Sequence, residues 1–206
     1  MRQPEFSVLI PHYAAEHGRR TLRTCLDCLI DNTASHYELI VYGNSEGGDL
    51  YQIYNDMARR ASTEWIVFLM SDEFLQPGWD IPALEYRSPD ILWGFNIVEP
   101  GYEPVNALNA RADFGASPET FQRHAFETWC MTERPSSEFL WIFPWFMSRE
   151  AFFDLGGFPK RALDDPEWGL SDMLYCRTWV EQGGQVGRLP TWAYHLGRWS
   201  LTGQTR

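Results

Sequence analysis

Nine residues, Trp65-Ile66-Val67-Phe68-Leu69-Met70-Ser71-Asp72-Glu73, decide how this chain is interpreted. The first six are apolar, and an unbroken run of β-branched and aromatic residues is typical of a strand buried on both faces in a parallel sheet. The run ends on two carboxylates, Asp72 and Glu73. Ligands of open α/β sheets bind beyond the carboxyl ends of the strands, so both carboxylates stand where chemistry is expected. A solvated acidic turn is the alternative interpretation.

Strand patterns and helix patterns alternate before this stretch. Residues 6–10 and 37–42 are predicted strands, and Pro11 is expected to end the first of them. Apolar residues at helical spacing follow each strand. They are Leu22, Cys25, Leu26, Leu29 and Ile30 in the first helix and Leu50, Ile53, Tyr54, Met57, Ala58 and Ala61 in the second. This β-α-β-α-β series predicts an α/β fold of three layers, α/β/α, with a central and mostly parallel sheet.

The rest of the chain is expected to complete a single domain made of two abutting halves, 1–98 and 99–206. A further strand is predicted over residues 91–98, and residues 99–118 have the composition of a loop. Ser117 is expected to cap a helix that runs toward Glu133. Further strands are expected within residues 139–147 and over 186–189. Helices are expected over 149–155 and from Ser171-Asp172 to a stop at Gly183-Gly184.

Composition and charge narrow the function classes. The chain has 206 residues, a net charge of −11 and 16% aromatic residues. Nucleic acid and anionic membrane surfaces attract basic proteins, so nucleic acid is an unfavoured partner. No signal-peptide core and no apolar run of about 18 residues occurs, so we expect no membrane span and a cytoplasmic location. The pair Cys25 and Cys28 has no second pair to complete a zinc site, and reduced, partly buried cysteines are expected.

The ordered set of motifs resembles the family 2 inverting glycosyltransferases of the GT-A fold. The resemblance covers nearly the whole chain apart from residues 99–138. In the first half it is carried by residues 7–13, Glu38-Leu39-Ile40-Val41, Asn55, Ala61, the 65–73 stretch and Pro77-Gly78-Trp79. In the second half it is carried by residues 148–152, Leu155-Gly156-Gly157-Phe158, Ser171-Asp172, Arg177, Gly183 and His195.

The resemblance implies a divalent metal, Mn²⁺ or Mg²⁺, as cofactor. Asp72 matches the last acid of the family's Asp-x-Asp motif and is the expected metal ligand, with Glu73 assisting. Hard carboxylate oxygens suit these ions, and a bound ion would neutralise a leaving diphosphate. His195 matches a late histidine that completes the metal site in some relatives. A purely structural histidine is the alternative for His195.

The resemblance also implies the catalytic base and the donor site. Asp172 matches the general base that takes the proton of the acceptor hydroxyl, and a helix N-terminal Asp stabilised by the macrodipole is the alternative. A functional base there needs an apolar or acidic neighbourhood, and Trp168 is expected to supply part of it. Residues 1–98 would bind the nucleotide-sugar donor, and residues 99–206 would hold the acceptor and the base. The expected donor-site residues are Pro11, Tyr13, Asn44 and Ser71.

Three positions depart from the family pattern. The acid that reads the nucleobase falls on Gly43, the usual Asn falls on Ala14, and the first acid of Asp-x-Asp falls on Met70. The expected function is a glycosyltransferase that uses a UDP- or GDP-sugar donor and a hydroxyl-bearing acceptor, a saccharide. A catalytically silent GT-A domain that binds a carbohydrate or a protein is the alternative. A transferase acting on modified nucleic acid bases is a third, which the net charge disfavours.

Overall fold

The computed structural model describes residues 2–44, 48–100, 110–135, 143–160 and 171–196, and these form one mixed α/β structure. The α/β class expected from the alternating patterns is confirmed. In chain order the elements are β1 (Phe6–Tyr13), α1 (Glu16–Asn32), β2 (Tyr37–Asn44), α2 (Leu50–Arg60), β3 (Trp65–Phe68), β4 (Glu73–Leu75), α3 (Asp80–Glu85), β5 (Ile91–Glu99), β6 (Ala110–Arg111), α4 (Arg123–Cys130), β7 (Trp145–Ser148), α5 (Arg149–Asp154), α6 (Ser171–Glu181) and β8 (Gln185–His195).

The strands form one sheet in the order β2-β1-β3-β7-β5-β8-β4, with β6 on β5. The strand pairs β1–β2, β1–β3, β5–β8 and β5–β6 are parallel, whereas β7 is antiparallel to both β3 and β5, and β4 is antiparallel to β8. The sheet is therefore mixed: among the described strands four of the seven strand pairs are parallel, so its larger part is parallel as expected, and three pairs are antiparallel. The antiparallel direction of β7 was not expected, because a short strand that is buried on both faces looks the same in sequence whichever way it runs.

Helices cover both faces of the parallel part of the sheet. Val8 and Ile10 of β1 pack in a cluster with Cys25 and Leu29 of α1. Leu9 belongs instead to a cluster with Tyr54 and Met57 of α2. Successive side chains of a strand point to opposite faces, so α1 and α2 lie on opposite sides of β1. Strand β3 is central as expected, and all four of its residues are buried.

Two of the predicted boundaries are wrong. Strand β1 continues through Pro11 to Tyr13. The backbone groups of Pro11 point to the same side of β1 as those of Leu9, two residues earlier, and the carbonyl oxygen of Leu9 accepts the N–H of Leu69 on the side of β3. Strand β3 has ended by that point, so the absent N–H of Pro11 leaves no strand partner unsatisfied. Ser117 does not cap a helix. It forms a turn with Thr120, and α4 starts only at Arg123.

Strands from both expected halves contribute to the same sheet. Strand β7 lies between β3 and β5, and β8 lies between β5 and β4, so the segments 1–98 and 99–206 are interleaved rather than only abutting. The predicted strand over 186–189 is part of a longer strand, β8, which continues to His195. The expected loop tip at residues 101–109, the first part of the 139–147 strand and Trp168 lie outside the described residues. Within the described ranges, no helix is both long and apolar enough to cross a bilayer.

Candidate functional site

The carboxyl end of β3 leads directly into a cluster of buried acids and one imidazole. The N–H of Glu73 bonds to the carbonyl oxygen of Met70 at 3.2 Å, which forms the turn that carries Asp72. Glu73 then pairs with His195 across the antiparallel strands β4 and β8, and the N–H of Leu196 bonds to the carbonyl oxygen of Asp72 at 3.1 Å. The structure therefore brings together all three residues that were expected to form the metal site.

The imidazole of His195 lies between two carboxylates. Its Nε2 is 3.3 Å from Oδ2 of Asp72, and its Nδ1 is 2.9 Å from Oε1 of Glu99. Glu99 is the last residue of β5, and because β5 and β8 run parallel with Val98 opposite Tyr194, their ends coincide. Glu99 was not among the site residues expected from the sequence. The available signal was the same one that identified Asp72, an acid at the end of an apolar strand.

Burial and mutual charge perturb this cluster strongly. Burial raises the pKa of Glu73 to about 8, and the N–H of Met70 donates to its Oε2 at 2.8 Å. Burial alone lowers the pKa of His195, but the charges of Asp72 and Glu73 and the hydrogen bonds to Asp72 and Glu99 raise it well above the ordinary value. The surrounding carboxyl groups therefore favour the protonated form of His195. Strongly perturbed groups of this kind cluster at functional sites.

The chemistry of these donors fits a hard divalent cation. Asp72 and Glu73 supply carboxylate oxygens, and His195, held by Glu99, supplies an imidazole, which Mn²⁺ accepts as a ligand. Within the part of the chain that the structure describes, no group of three or more His, Cys, Asp or Glu side chains has the arrangement of a preformed metal site. Instead, Asp72 and Glu99 each contact one ring nitrogen of His195. A cation would replace the proton on one of these nitrogens, because a metal-ligating imidazole must be neutral.

Asp172 lies in the first turn of α6 and is buried. Burial raises the pKa of its carboxyl group to about 6, whereas hydrogen bonds from the N–H of Met173 and from the hydroxyl of Tyr51 lower it. The Met173 N–H contacts Oδ1 at 2.8 Å. Trp168, which was expected to provide an apolar neighbour, is not among the described residues. A carboxyl group with a pKa near 6 can accept a proton close to neutral pH.

Helix α2 connects Asp172 with the acidic turn. Tyr51 and Tyr54 lie one helical turn apart, and the hydroxyl of Tyr54 donates to the carbonyl oxygen of Leu69 at 3.0 Å, just before Met70. Burial raises the pKa of Tyr54, and the charges of Glu73 and Asp72 raise it further. One face of α2 therefore contacts both parts of the site, because Tyr51 contacts Asp172 and Tyr54 contacts the backbone just after β3.

The expected donor-site residues lie at the carboxyl ends of β1, β2 and β3. Tyr13 is 43% exposed, and it lies opposite Asn44 in the parallel pair β1–β2. The amide of Asn44 bonds to both the N–H and the carbonyl oxygen of Gly48, at 2.9 and 3.0 Å, so it closes a local turn. Pro11 is buried opposite Tyr42, and Ser71 is buried directly before Asp72. Only Tyr13 among the four presents a largely exposed side chain.

Neither a comparison with protein-family models nor a comparison with curated protein sequences finds a match for this chain. The interpretation of the site therefore depends on its own geometry and on the resemblance of its motifs.

Proposed function

We propose that this chain is a metal-dependent inverting glycosyltransferase of the GT-A type, which moves a sugar from a nucleoside diphosphate sugar to a hydroxyl acceptor. The observation that carries the proposal is the convergence of Asp72, Glu73 and His195 at the end of β3, joined by Glu99. The sequence assigns Asp72, Glu73 and His195 to the metal site, and His195 is more than a hundred positions from the other two residues.

Asp72 is the principal candidate to hold the metal, with Glu73 and His195 beside it. A bound Mn²⁺ or Mg²⁺ would neutralise charge on the leaving diphosphate. Asp72 contributes a carboxylate group, and Glu73, whose pKa burial raises to about 8, would release its proton on binding the metal. Glu99 orients the imidazole of His195 through the 2.9 Å hydrogen bond to Nδ1, as an outer-shell acceptor orients a ligating histidine.

Asp172 is the candidate general base. Inversion requires the acceptor hydroxyl to attack the anomeric carbon from the face opposite the leaving group, while a carboxylate takes its proton. Burial gives Asp172 a pKa of about 6, so the group is largely ionised at neutral pH and basic enough to accept a proton. The Tyr51 hydroxyl orients the carboxylate by a hydrogen bond.

The test is turnover of UDP- and GDP-sugars with Mn²⁺ and a panel of saccharide acceptors, followed by NMR of the first-formed product. The proposal expects a product whose anomeric configuration is opposite to that of the donor. Asp172→Asn should slow turnover by roughly 10²-fold or more, because a positioned base contributes that much. Asp154→Asn, at the end of the neighbouring short helix α5, is the matched control. Retention of configuration, or an Asp172→Asn rate within a few-fold of the parent, would contradict the proposal.

A second candidate is a catalytically silent domain that binds a carbohydrate or a protein partner. The observation that favours it is that both ring nitrogens of His195 already have carboxylate partners and that the Asn44 amide is engaged by Gly48. Donor hydrolysis that requires both Mn²⁺ and Asp72 would exclude this candidate. Saccharide binding that survives Asp72→Asn, with no turnover of any donor, would favour it.

A further inference from the structure

His12 stands at the carboxyl end of β1, directly opposite Gly43 of β2. A Cβ added to Gly43 would lie 3.3 Å from Nε2 of His12 and 3.7 Å from Cε1, and these are its neighbours within 4 Å among the described residues. Near the end of β2, residue 43 therefore carries no side chain, and the edge of the His12 ring borders the space that a side chain at residue 43 would fill.

The local backbone fixes which nitrogen of His12 can accept a hydrogen bond. Nδ1 lies 2.9 Å from the carbonyl oxygen of Tyr13. A carbonyl oxygen can only accept, so Nδ1 carries the proton in this contact. In the neutral ring Nε2 then has the free lone pair. His12 thus presents an acceptor toward the space beside Gly43.

This acceptor lies at the same edge of the sheet as the acidic cluster. The N–H of Leu69 bonds to the carbonyl oxygen of Leu9 at 3.1 Å, which aligns the ends of the parallel strands β1 and β3. His12 follows Leu9 by three residues, and Asp72 follows Leu69 by three residues. Ligands of parallel α/β sheets occupy this edge, so one molecule can extend from one position to the other.

We propose that His12 Nε2 reads the nucleobase of the donor and selects bases that carry a ring N–H. This inference rests on the proposed glycosyltransferase function, and it names the donor class of that same site. Uracil and thymine present N3–H and guanine presents N1–H to such an acceptor. Cytosine and adenine present a lone pair at the corresponding ring nitrogen, so two acceptors would face each other.

The test is calorimetric titration with UDP, dTDP, GDP, CDP and ADP in the presence of Mn²⁺. UDP, dTDP or GDP should bind at least about tenfold more tightly than CDP and ADP, a difference that one well-placed hydrogen bond and one avoided lone-pair contact supply. His12→Phe keeps a ring but removes the acceptor, and it should reduce the ratio to about threefold or less. His36→Phe, at the opposite end of β2, is the matched control and should keep the full ratio.

A rescue separates recognition from a purely structural role of His12. Gly43 has no positive φ, so Gly43→Asp can be introduced without backbone strain. In the His12→Phe background it places a carboxylate acceptor in the same space, and preference for UDP, dTDP or GDP should return. His12→Ala with Gly43→Asp provides a second background in case the Phe ring crowds that space. Failure of both double variants to recover any preference, with their melting temperatures unchanged, would overturn the proposal.

The outcomes distinguish this inference from the proposed function. Base preference that depends on His12, without turnover of any nucleotide-sugar, supports the inference and contradicts the transferase. Turnover with equal affinity for UDP and CDP, or a preference that persists in His12→Phe, overturns the inference alone. Absence of binding by all five nucleotides overturns both.

Discussion

Glu99 accepts a hydrogen bond from Nδ1 of His195 at 2.9 Å, and this contact joins the last residue of β5 to the last residue of β8. The contact follows from the parallel register of the two strands, in which Val98 lies opposite Tyr194. This contact adds Glu99 to the cluster of Asp72, Glu73 and His195, so that His195 lies between Asp72 and Glu99. The positions at which the strands end therefore determine which titratable side chains contact one another in the site.

Glu99→Gln should lower the pKa of His195. The carboxylate of Glu99 is one of the groups that hold that pKa above its ordinary value, and an amide keeps the acceptor but removes the charge. NMR titration of the His195 Cε1 proton, assigned by its loss in His195→Gln, measures the change. Glu119→Gln, a half-exposed acid paired with Arg20, is the control and should leave the titration unchanged. An unchanged His195 titration in Glu99→Gln would contradict the described cluster.

The metal-free protein should become less stable as pH rises from about 5 to about 8. Burial raises the pKa of Glu73 to about 8, so the folded protein keeps a proton that the unfolded chain releases above its ordinary pKa. The folded state then binds more protons in this window, and its stability falls with increasing pH. The raised pKa of His195 acts with the same sign above its ordinary value.

Glu73→Gln should make this decline shallower, because a glutamine has no proton to release. Urea unfolding at several pH values in the presence of EDTA measures the slope. Glu5→Gln, on an exposed residue outside the cluster, should keep the slope of the parent protein. A decline of equal steepness in Glu73→Gln would show that the proton is held elsewhere.

Tyr51→Phe should shift the acidic limb of the rate profile to higher pH. The Tyr51 hydroxyl donates a hydrogen bond that lowers the pKa of Asp172 and so opposes the effect of burial. Loss of this hydrogen bond should raise the pKa of Asp172 above about 6. The measurement is kcat/KM between pH 5 and 8 in Tyr51→Phe and in the parent. A purely structural loss would lower the whole curve without moving its inflection, and that result would count against the role of Tyr51.

Gly157→Ala should destabilise the protein more than Gly156→Ala. Both glycines have positive φ, 77° and 85°, so each alanine costs roughly 1–2 kcal/mol in backbone conformation. The Cβ at residue 157 would lie 2.6 Å from Oδ1 of Asn55, whereas no atom of the described residues lies within 4 Å of a Cβ at residue 156. Asn55 bonds to both the N–H and the carbonyl oxygen of Phe158, so displacing it costs roughly another 1–3 kcal/mol. Urea unfolding of both variants tests the difference, and equal losses would contradict it.

Local patterns predicted most of the elements. The helical spacing from Leu50 to Ala61 corresponds to α2, and the apolar run from Trp65 corresponds to β3. The direction of β7 could not be predicted, because a strand buried on both faces carries no alternation that would indicate its orientation. Pro11 misled the prediction, since its effect depends on whether a neighbouring strand continues beside it.

The site was predictable only in part. Asp72 and His195 followed from the resemblance, and the structure brings them within 3.3 Å. Glu99 was missed because its role depends on the parallel pairing of β5 with β8, which joins residues almost a hundred positions apart. The proximity of His12 to Gly43 could not be predicted either. The sequence does not show which residue lies next to the space that a side chain at a glycine would fill.

The most direct test of the central claim is release of nucleoside diphosphate from UDP- and GDP-sugars with and without Mn²⁺, in the parent protein and in Asp72→Asn. Asp56→Asn, which changes an exposed carboxylate on α2, is the matched control. A transferase with Asp72 at its metal site should release nucleoside diphosphate only with the metal, with roughly 10²-fold or greater loss in Asp72→Asn and the parent rate in Asp56→Asn. Release that persists in Asp72→Asn, or no release from any donor with or without Mn²⁺, would contradict the claim.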